Sequence, residues 1–279
     1  MIEAIVNKII PLSVVDGPGA RSVVFLQGCN LACIYCHNPE TQRVCNNCAK
    51  CVKICPNNAL HKENGKVLWK KEICSECDAC IKICPNFSSP RVAKMPAMAV
   101  FDQIQNNLPF ISGITVSGGE CMLAPFFLTD LFCLSKKSNL SSFIDTNGTI
   151  DFSLYPDLLS LTDGVMIDLK SWDNDTYHTV TRGSSLDNDT VKKNILFLLD
   201  AKKLYEIRIV CFPMMQPKNV VDALREFLGK KSLQARLKLI AFRNFGVRGD
   251  FARSPNTSPE EMQKLFDYCR DFFYEVKVV

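Results

Sequence analysis

Residues 22–36 read Ser22-Val-Val-Phe-Leu-Gln27-Gly28-Cys29-Asn-Leu-Ala-Cys33-Ile-Tyr-Cys36. The first six form a β-branched, apolar run of strand length, and Gly28 ends it. Three cysteines follow at C-x3-C-x2-C spacing with no fourth beside them. Three thiolates on a cubane cluster leave one iron with an open position, much as a catalytic zinc keeps one site for its substrate. Spacing alone also allows a structural cluster whose fourth ligand is remote, with Cys121, Cys133, Cys211 and Cys269 as conceivable donors.

Working outward, further strand-like runs occur at Gly113 to Ser117, Ser142 to Thr146, Gly164 to Leu169, Tyr205 to Phe212 and Arg236 to Phe242. Helical patterns separate them, at Pro125 to Lys136, Asp187 to Lys202, Asn219 to Gly229 and Pro259 to Phe273, the last with Ser258 as its cap. Strands alternating with helices predict parallel βα units. About six units fall short of a closed eight-stranded ring, so the expected fold is α/β, an open, partial parallel (β/α)6 barrel. In such folds the loops after the strands build the site. The strand ends carry Gly28-Cys29, Ser117-Gly118-Gly119-Glu120, Asp145-Thr146-Asn147-Gly148 and Asp168-Leu169-Lys170. Each alone reads as a tight turn or a solvated strand end. Four in succession behind the cysteine loop point to a site that binds a zwitterionic ligand, with Gly118 and Gly119 admitting close backbone approach.

Two further cysteine groups repeat each other. Cys45, Cys48, Cys51 and Cys55 precede Pro56, and Cys74, Cys77, Cys80 and Cys84 precede Pro85, giving C-x2-C-x2-C-x3-C-P twice. This is the bacterial ferredoxin run, in which the fourth thiolate of each copy serves the other cluster. It assigns Cys45, Cys48, Cys51 and Cys84 to one [4Fe-4S] cluster and Cys74, Cys77, Cys80 and Cys55 to a second. Zinc sites instead pair two C-x2-C knuckles, and disulfides between such closely spaced cysteines would be strained. The expected organisation is a ferredoxin-like insertion at 44–87 within a barrel formed by 1–43 and 88–279.

The 279 residues, 47% hydrophobic and 22% charged, suffice for a large core with a small added module. A formal charge of +4, spread along the chain, implies neither nucleic-acid nor membrane binding. The opening residues lack a basic flank, a long apolar run and a cleavage site, and no stretch is apolar enough to span a bilayer, so a cytoplasmic location is expected. The 15 cysteines, mostly in two-residue spacings, indicate metal ligation.

The segments Asp16-Gly17-Pro18-Gly19-Ala20-Arg21, Phe25-Leu26-Gln27-Gly28-Cys29 and Cys36-His37-Asn38-Pro39-Glu40-Thr41 resemble the glycyl radical enzyme activating enzymes of the radical S-adenosylmethionine (SAM) superfamily. Ile114 to Glu120 and Phe245-Gly-Val-Arg-Gly249 are most similar to the YjjW type, whose expected partner is a YjjI-type glycyl radical enzyme. The resemblance implies reductive cleavage of SAM at the Cys29/Cys33/Cys36 cluster, giving a 5′-deoxyadenosyl radical that takes the α-hydrogen of a glycine in the partner. It implies three [4Fe-4S] clusters, with electrons from a flavodoxin or ferredoxin-type reductant. It places Tyr35, Cys36 and His37 on the adenine side and Gly118, Gly119 and Glu120 at the methionine amino group. Asp168, Leu169 and Lys170 fall at the ribose and carboxylate, Arg208 at the carboxylate, and Asp145, Thr146 and Met166 at a monovalent cation, Na or K. Arg243 stands where the family usually has histidine; a guanidinium can hold a carboxylate or ribose but cannot accept a proton. A radical enzyme acting on a small molecule or another peptide shares these motifs. An electron carrier of ferredoxin type would leave the strand-end motifs unused.

Overall fold

The computed structural model describes residues 2–182 and 187–279. Eleven strands are present among them: β1 (Glu3–Ser13), β2 (Arg21–Leu26), β3 (Leu60–Glu63), β4 (Lys66–Trp69), β5 (Ala93–Pro96), β6 (Gly113–Gly118), β7 (Ser141–Thr146), β8 (Gly164–Asp168), β9 (Leu204–Cys211), β10 (Arg236–Ala241) and β11 (Glu275–Val278). Nine form one sheet in the order β11-β10-β9-β8-β7-β6-β2-β1-β5. From β2 to β11 every pairing is parallel, whereas β1 runs antiparallel to both β2 and β5. The six strands expected from periodicity are thus adjacent and parallel, in chain order.

The sheet has two free edges, so it does not close into a ring. It does curl. Five strand steps separate β2 from β10, about 24 Å if flat. Yet Lys238 Nζ on β10 lies 3.4 Å from the carbonyl of Val15, in the loop just before β2.

Burial explains the parallel run. All six residues of β2 and five of the six in β6 are buried, as expected where both faces are covered. The helices packing on the sheet include α2 (Ala97–Gln105), α3 (Pro125–Lys137), α6 (Asp189–Asp200), α7 (Pro217–Leu228) and α8 (Pro259–Cys269). In α3, Phe127, Leu128, Leu131, Phe132 and Ser135 make the buried stripe behind a proline in the first turn. Ser258 caps α8 in a reciprocal box with Glu261, as the sequence predicts. At the N-terminal end of the strands, fully buried Arg21 donates to the Thr115 hydroxyl (2.8 Å) and to the carbonyls of Ile114 (2.6 Å) and Ser141 (2.9 Å). Its guanidinium lies 4.3 Å from the centre of the Phe143 ring. One side chain therefore locks β2, β6 and β7 together at the end opposite the cysteine loop.

Residues 44–87 lie between β2 and β5 and contain the separate β3-β4 hairpin and the short helix α1 (Ala79–Ile83). They enclose a small core of their own around Cys51, Leu60 and Cys80. The cysteine repeat continues in the backbone. Asn47 and Glu76, Ala49 and Asp78, and Asn58 and Phe87 are all left-handed non-glycine residues, and each pair is separated by the same 29 positions as Cys45 and Cys74. Such conformations cost about 1 kcal/mol or more apiece and persist where the surroundings impose them. They turn backbone N–H groups toward sulfur: Asn47 donates to Cys45 Sγ at 3.4 Å, and Ala59 donates to Cys55 Sγ at 3.2 Å.

Candidate active site

The cysteine loop leaves β2 at Leu26 and is closed at its base by backbone bonds from Gly28 N to Thr41 O (2.8 Å) and from Cys29 N to Gln42 O (2.9 Å). Gln27 reinforces the closure by donating to the carbonyls of Glu40 (2.7 Å) and Arg43 (2.6 Å). On its other side the loop bonds to the end of α5 (Asn174–Thr181), through Ala32 N to Thr181 O and Ile34 N to Val180 O. Tyr35 is buried against Phe212, with ring centres 4.7 Å apart. His37 lies over Phe242, and its Nε2 is 2.9 Å from the carbonyl of Arg243, which can only accept, so Nε2 carries a proton there.

This loop and the C-terminal ends of β6, β7 and β8 line one pocket. Into it face Cys29, Cys33 and Cys36, with Tyr35, His37, Gly118, Gly119, Asp145, Thr146, Asp168 and Lys170. None of Cys121, Cys133, Cys211 and Cys269 lines it. Cys121 is a buried thiol that donates to the Asp145 carbonyl at 3.3 Å. Among the described residues no three Cys, His, Asp or Glu side chains converge tightly enough to hold a single metal ion. A cubane asks for something wider, because each thiolate binds a separate iron. Burial pushes the Cys29 thiol up to about 12, with the Glu120 carboxylate adding to it, and the Cys33 thiol up to about 11. Cationic iron would reverse that preference. The Leu31 N–H donates to Cys29 Sγ at 3.4 Å, and the Asn147 side-chain amide lies 3.8 Å from the same sulfur. Three half-buried thiols that line one pocket, one of them already approached by two N–H groups, fit a cluster.

Much of the remaining lining is polar and charged. Lys170 Nζ pairs with Asp168 at 3.1 Å and lies 5.9 Å from the centre of the Tyr35 ring. Although burial opposes its charge, Asp168 and its other neighbours hold the ammonium well above its ordinary range. Asp145 accepts from the Ser117 hydroxyl and from Arg208, each at 2.9 Å. Burial raises the Asp145 carboxyl, and Arg208 opposes that rise.

Several expected contact residues stand behind the pocket. Glu120 Oε1 accepts from the Met122 N–H (2.9 Å) and the Thr146 hydroxyl (2.7 Å), while Oε2 accepts from the Asn147 N–H (2.7 Å). Its carboxylate thus ties β6 to β7. Arg208 is committed to Glu206 (2.6 Å), Asp145 and the Met166 sulfur (2.7 Å). Leu169 is buried and donates its N–H to Arg208 O. The Arg243 side chain lines a separate groove with Val15, Tyr205, Lys238 and Lys277. Gly118 and Gly119 line the pocket and also let backbone segments pack closely behind it. A Cβ at Gly118 would sit 2.2 Å from Leu26 O, and one at Gly119 would sit 2.1 Å from Gly28 O. The space where each Cβ would stand is filled by β2 and the loop base.

Asn147 was not among the expected site residues. Besides approaching Cys29, it donates to Asn30 Oδ1 (2.9 Å) and accepts from Thr149 N–H (3.0 Å) and hydroxyl (2.6 Å). The Asn-Gly pair alone reads as a turn, and only the strand-end motif containing it points to the site, without singling out Asn147.

The chain belongs to the radical SAM superfamily, which residues 23–227 match, and membership implies a [4Fe-4S] cluster and SAM. Within the superfamily it falls among the glycyl radical enzyme activating enzymes. It is 31% identical to the trans-4-hydroxy-L-proline dehydratase activating enzyme of Clostridioides difficile, over 91% of this chain and 93% of that one. It is 26% identical to a putative glycyl-radical enzyme activating enzyme of Haemophilus influenzae, over 95% and 92%. The crystal structure of QueE from Escherichia coli shares the fold, with a TM-score of 0.58 at 12% identity, covering 99% of this chain and 94% of that chain. Among the described residues no helix is long and apolar enough to cross a membrane.

Proposed function

We propose that this enzyme installs a glycine-centred radical on a partner glycyl radical enzyme, using SAM at a cluster ligated by Cys29, Cys33 and Cys36. The observation that carries the reading is the shared pocket, which the three thiols line together with Asp168 and Lys170. When bound, the cluster supplies the electron that cleaves the SAM sulfonium bond and so generates the radical that takes the glycine α-hydrogen.

The protein's own part is to bind and orient. Tyr35 and His37 offer ring surface to the adenine, held in place by Phe212 and Phe242. Lys170 and Asp168 present a cation and an acceptor together, suited to a carboxylate and a ribose hydroxyl. Arg208 positions Asp145, since its fork is already occupied by two carboxylates and a sulfur. The Thr146 hydroxyl donates to Glu120 and accepts from the Gly148 N–H, which leaves it one lone pair to offer, with Asp145 and the Met166 carbonyl, to a monovalent cation. Arg243 contributes its carbonyl to seat His37, while its side chain faces the groove at the open edge of the sheet.

Residues 44–87 read as the ferredoxin-like module, with Cys45, Cys48, Cys51 and Cys84 on one cluster and Cys74, Cys77, Cys80 and Cys55 on the other. The matched left-handed backbone of the two runs supports this, and a flavodoxin or ferredoxin-type protein would load them. The sequence likeness to the YjjW type makes a YjjI-type enzyme the partner of choice.

The test is anaerobic reconstitution with SAM and the candidate partner. Wild type is expected to give 5′-deoxyadenosine and a glycyl doublet in electron paramagnetic resonance that requires the partner. Cys33→Ala is expected to abolish both while the iron of residues 44–87 remains. Undiminished 5′-deoxyadenosine from Cys33→Ala would overturn the assignment. Cleavage without a doublet would point to a different substrate.

A further inference from the structure

The loop after β10 touches two parts of the molecule at once. At its near end, the Arg243 carbonyl accepts from His37, the residue following Cys36. Gly246 presses on the same residue in a left-handed conformation (φ +85°), where a Cβ would come to 3.0 Å from the His37 carbonyl. At its far end, Arg248 reaches 164 residues back along the chain to donate to the carbonyl of Cys84 (3.4 Å), and it also donates to that of Ile81. These carbonyls lie at the C-terminal end of α1, where acceptors lack partners a turn further on; that of Ile81 also accepts the Cys84 N–H (3.2 Å). The guanidinium also lies 5.5 Å from the centre of the Phe87 ring. Between the two ends, Val247 is buried in the main core, and its N–H donates to Asn244 O (3.1 Å).

We infer that Arg248 is a positioning residue that seats residues 44–87 on the sheet, so that the loop 243–248 acts as a strut fixing their distance from the Cys29/Cys33/Cys36 loop. The strut has contacts at both ends and an anchor in the middle. Its far contact falls on Cys84, the residue that in the proposed ferredoxin pattern crosses from one cysteine run to the other cluster. Holding that backbone fixed holds both cysteine runs at once. The importance for electron delivery rests on the function proposed above, whereas the mechanical seating does not.

The test uses the reconstituted full-length enzyme with Arg248→Met, which keeps the apolar stem over Phe87 but removes the donors, and Arg248→Lys, which restores one. Hydrogen exchange of the amides at 79–87 should speed up about tenfold in Arg248→Met and largely recover in Arg248→Lys, with β7 and β8 unchanged as the folding control. Pulsed electron paramagnetic resonance should show a broader spread of cluster-to-cluster distances in Arg248→Met. Unchanged exchange at 79–87 overturns the strut. If iron is found only at the Cys29 site, the electron-carrying role of 44–87 fails, while the exchange result still decides the seating.

Discussion

The Glu120 carboxylate accepts the backbone N–H of Asn147 at 2.7 Å, joining the end of β6 to the turn after β7 behind the pocket. Glu120 is buried, and among the described residues no cationic side chain forms an ion pair with it. Desolvation pushes its carboxyl up to about 7 from an ordinary 4.5, against the Asn147, Thr146 and Met122 donors and a smaller coulombic pull from Lys170. The folded state therefore binds a proton in a range where the unfolded chain has released it. Stability from this group is full below about 4.5, declines as pH rises toward 7, and is flat above that, with a total of up to about 3 kcal/mol. Urea unfolding of the cluster-free protein at pH 5 and pH 7.5 should show that loss. Glu120→Gln should flatten it, and an equal pH slope in both proteins would remove Glu120 as its source.

Arg208 is more costly to lose. It sits between the Asp145 and Glu206 carboxylates, and Lys238 lies 3.6 Å from Glu206 as a weaker substitute. Arg208→Met leaves Asp145 buried without its partner, and breaking such a pair costs about 3–5 kcal/mol. Arg208→Lys should recover part of the stability but not the fork that reaches both carboxylates. Denaturant midpoints check the first statement. Anaerobic SAM binding by the lysine variant checks the second, with wild-type affinity there counting against Arg208 as the residue that orients Asp145.

Gly119→Ala tests what the glycine pair does. The new methyl would meet the Gly28 and Thr41 carbonyl groups, which are backbone and cannot swing aside. The expected outcome is opening of the loop base, with SAM affinity reduced at least about tenfold and several kcal/mol of lost stability. Were the pair present only to admit the ligand, binding would fall while the unfolding midpoint stayed put.

The parts legible in the sequence are those that obey one local rule. β2 and β6 to β10 emerged because apolar runs of strand length alternate with 3.6-period helices, and the Ser258 box because its side chains lie three residues apart. β1 escaped because Pro11 interrupts it, its ladder to β2 slips twice, and much of it is exposed. β5 and β11, at four residues each, are too short for a period to register. Within the site, residue type and spacing located the thiols and the Asp168/Lys170 pair. Whether Glu120, Arg208 or Arg243 faces the ligand or supports a neighbour depends on which way a strand-end side chain turns. That is decided by partners 26 to 206 residues away, such as Thr146 for Glu120, Asp145 for Arg208 and His37 for the Arg243 carbonyl, and no local pattern carries it.

Asn147 offers the most direct probe of the cluster site, because its effect should appear in a potential and not only in turnover. Its side-chain amide points at the Cys29 sulfur from 3.8 Å and is held there by Asn30 and Thr149. An N–H group directed at a ligating sulfur stabilises the more negative, reduced state of a cluster and raises its potential. A neutral hydrogen bond contributes about 0.5–1.5 kcal/mol, so Asn147→Ala should lower the midpoint by about 20–60 mV. Asn147→Asp places a carboxyl group in the same position and should lower it at least as far when ionised. Redox titration followed by the reduced-cluster signal reads both variants. A midpoint unmoved in each would mean that Asn147 holds the loop through Asn30 and has no influence on the sulfur.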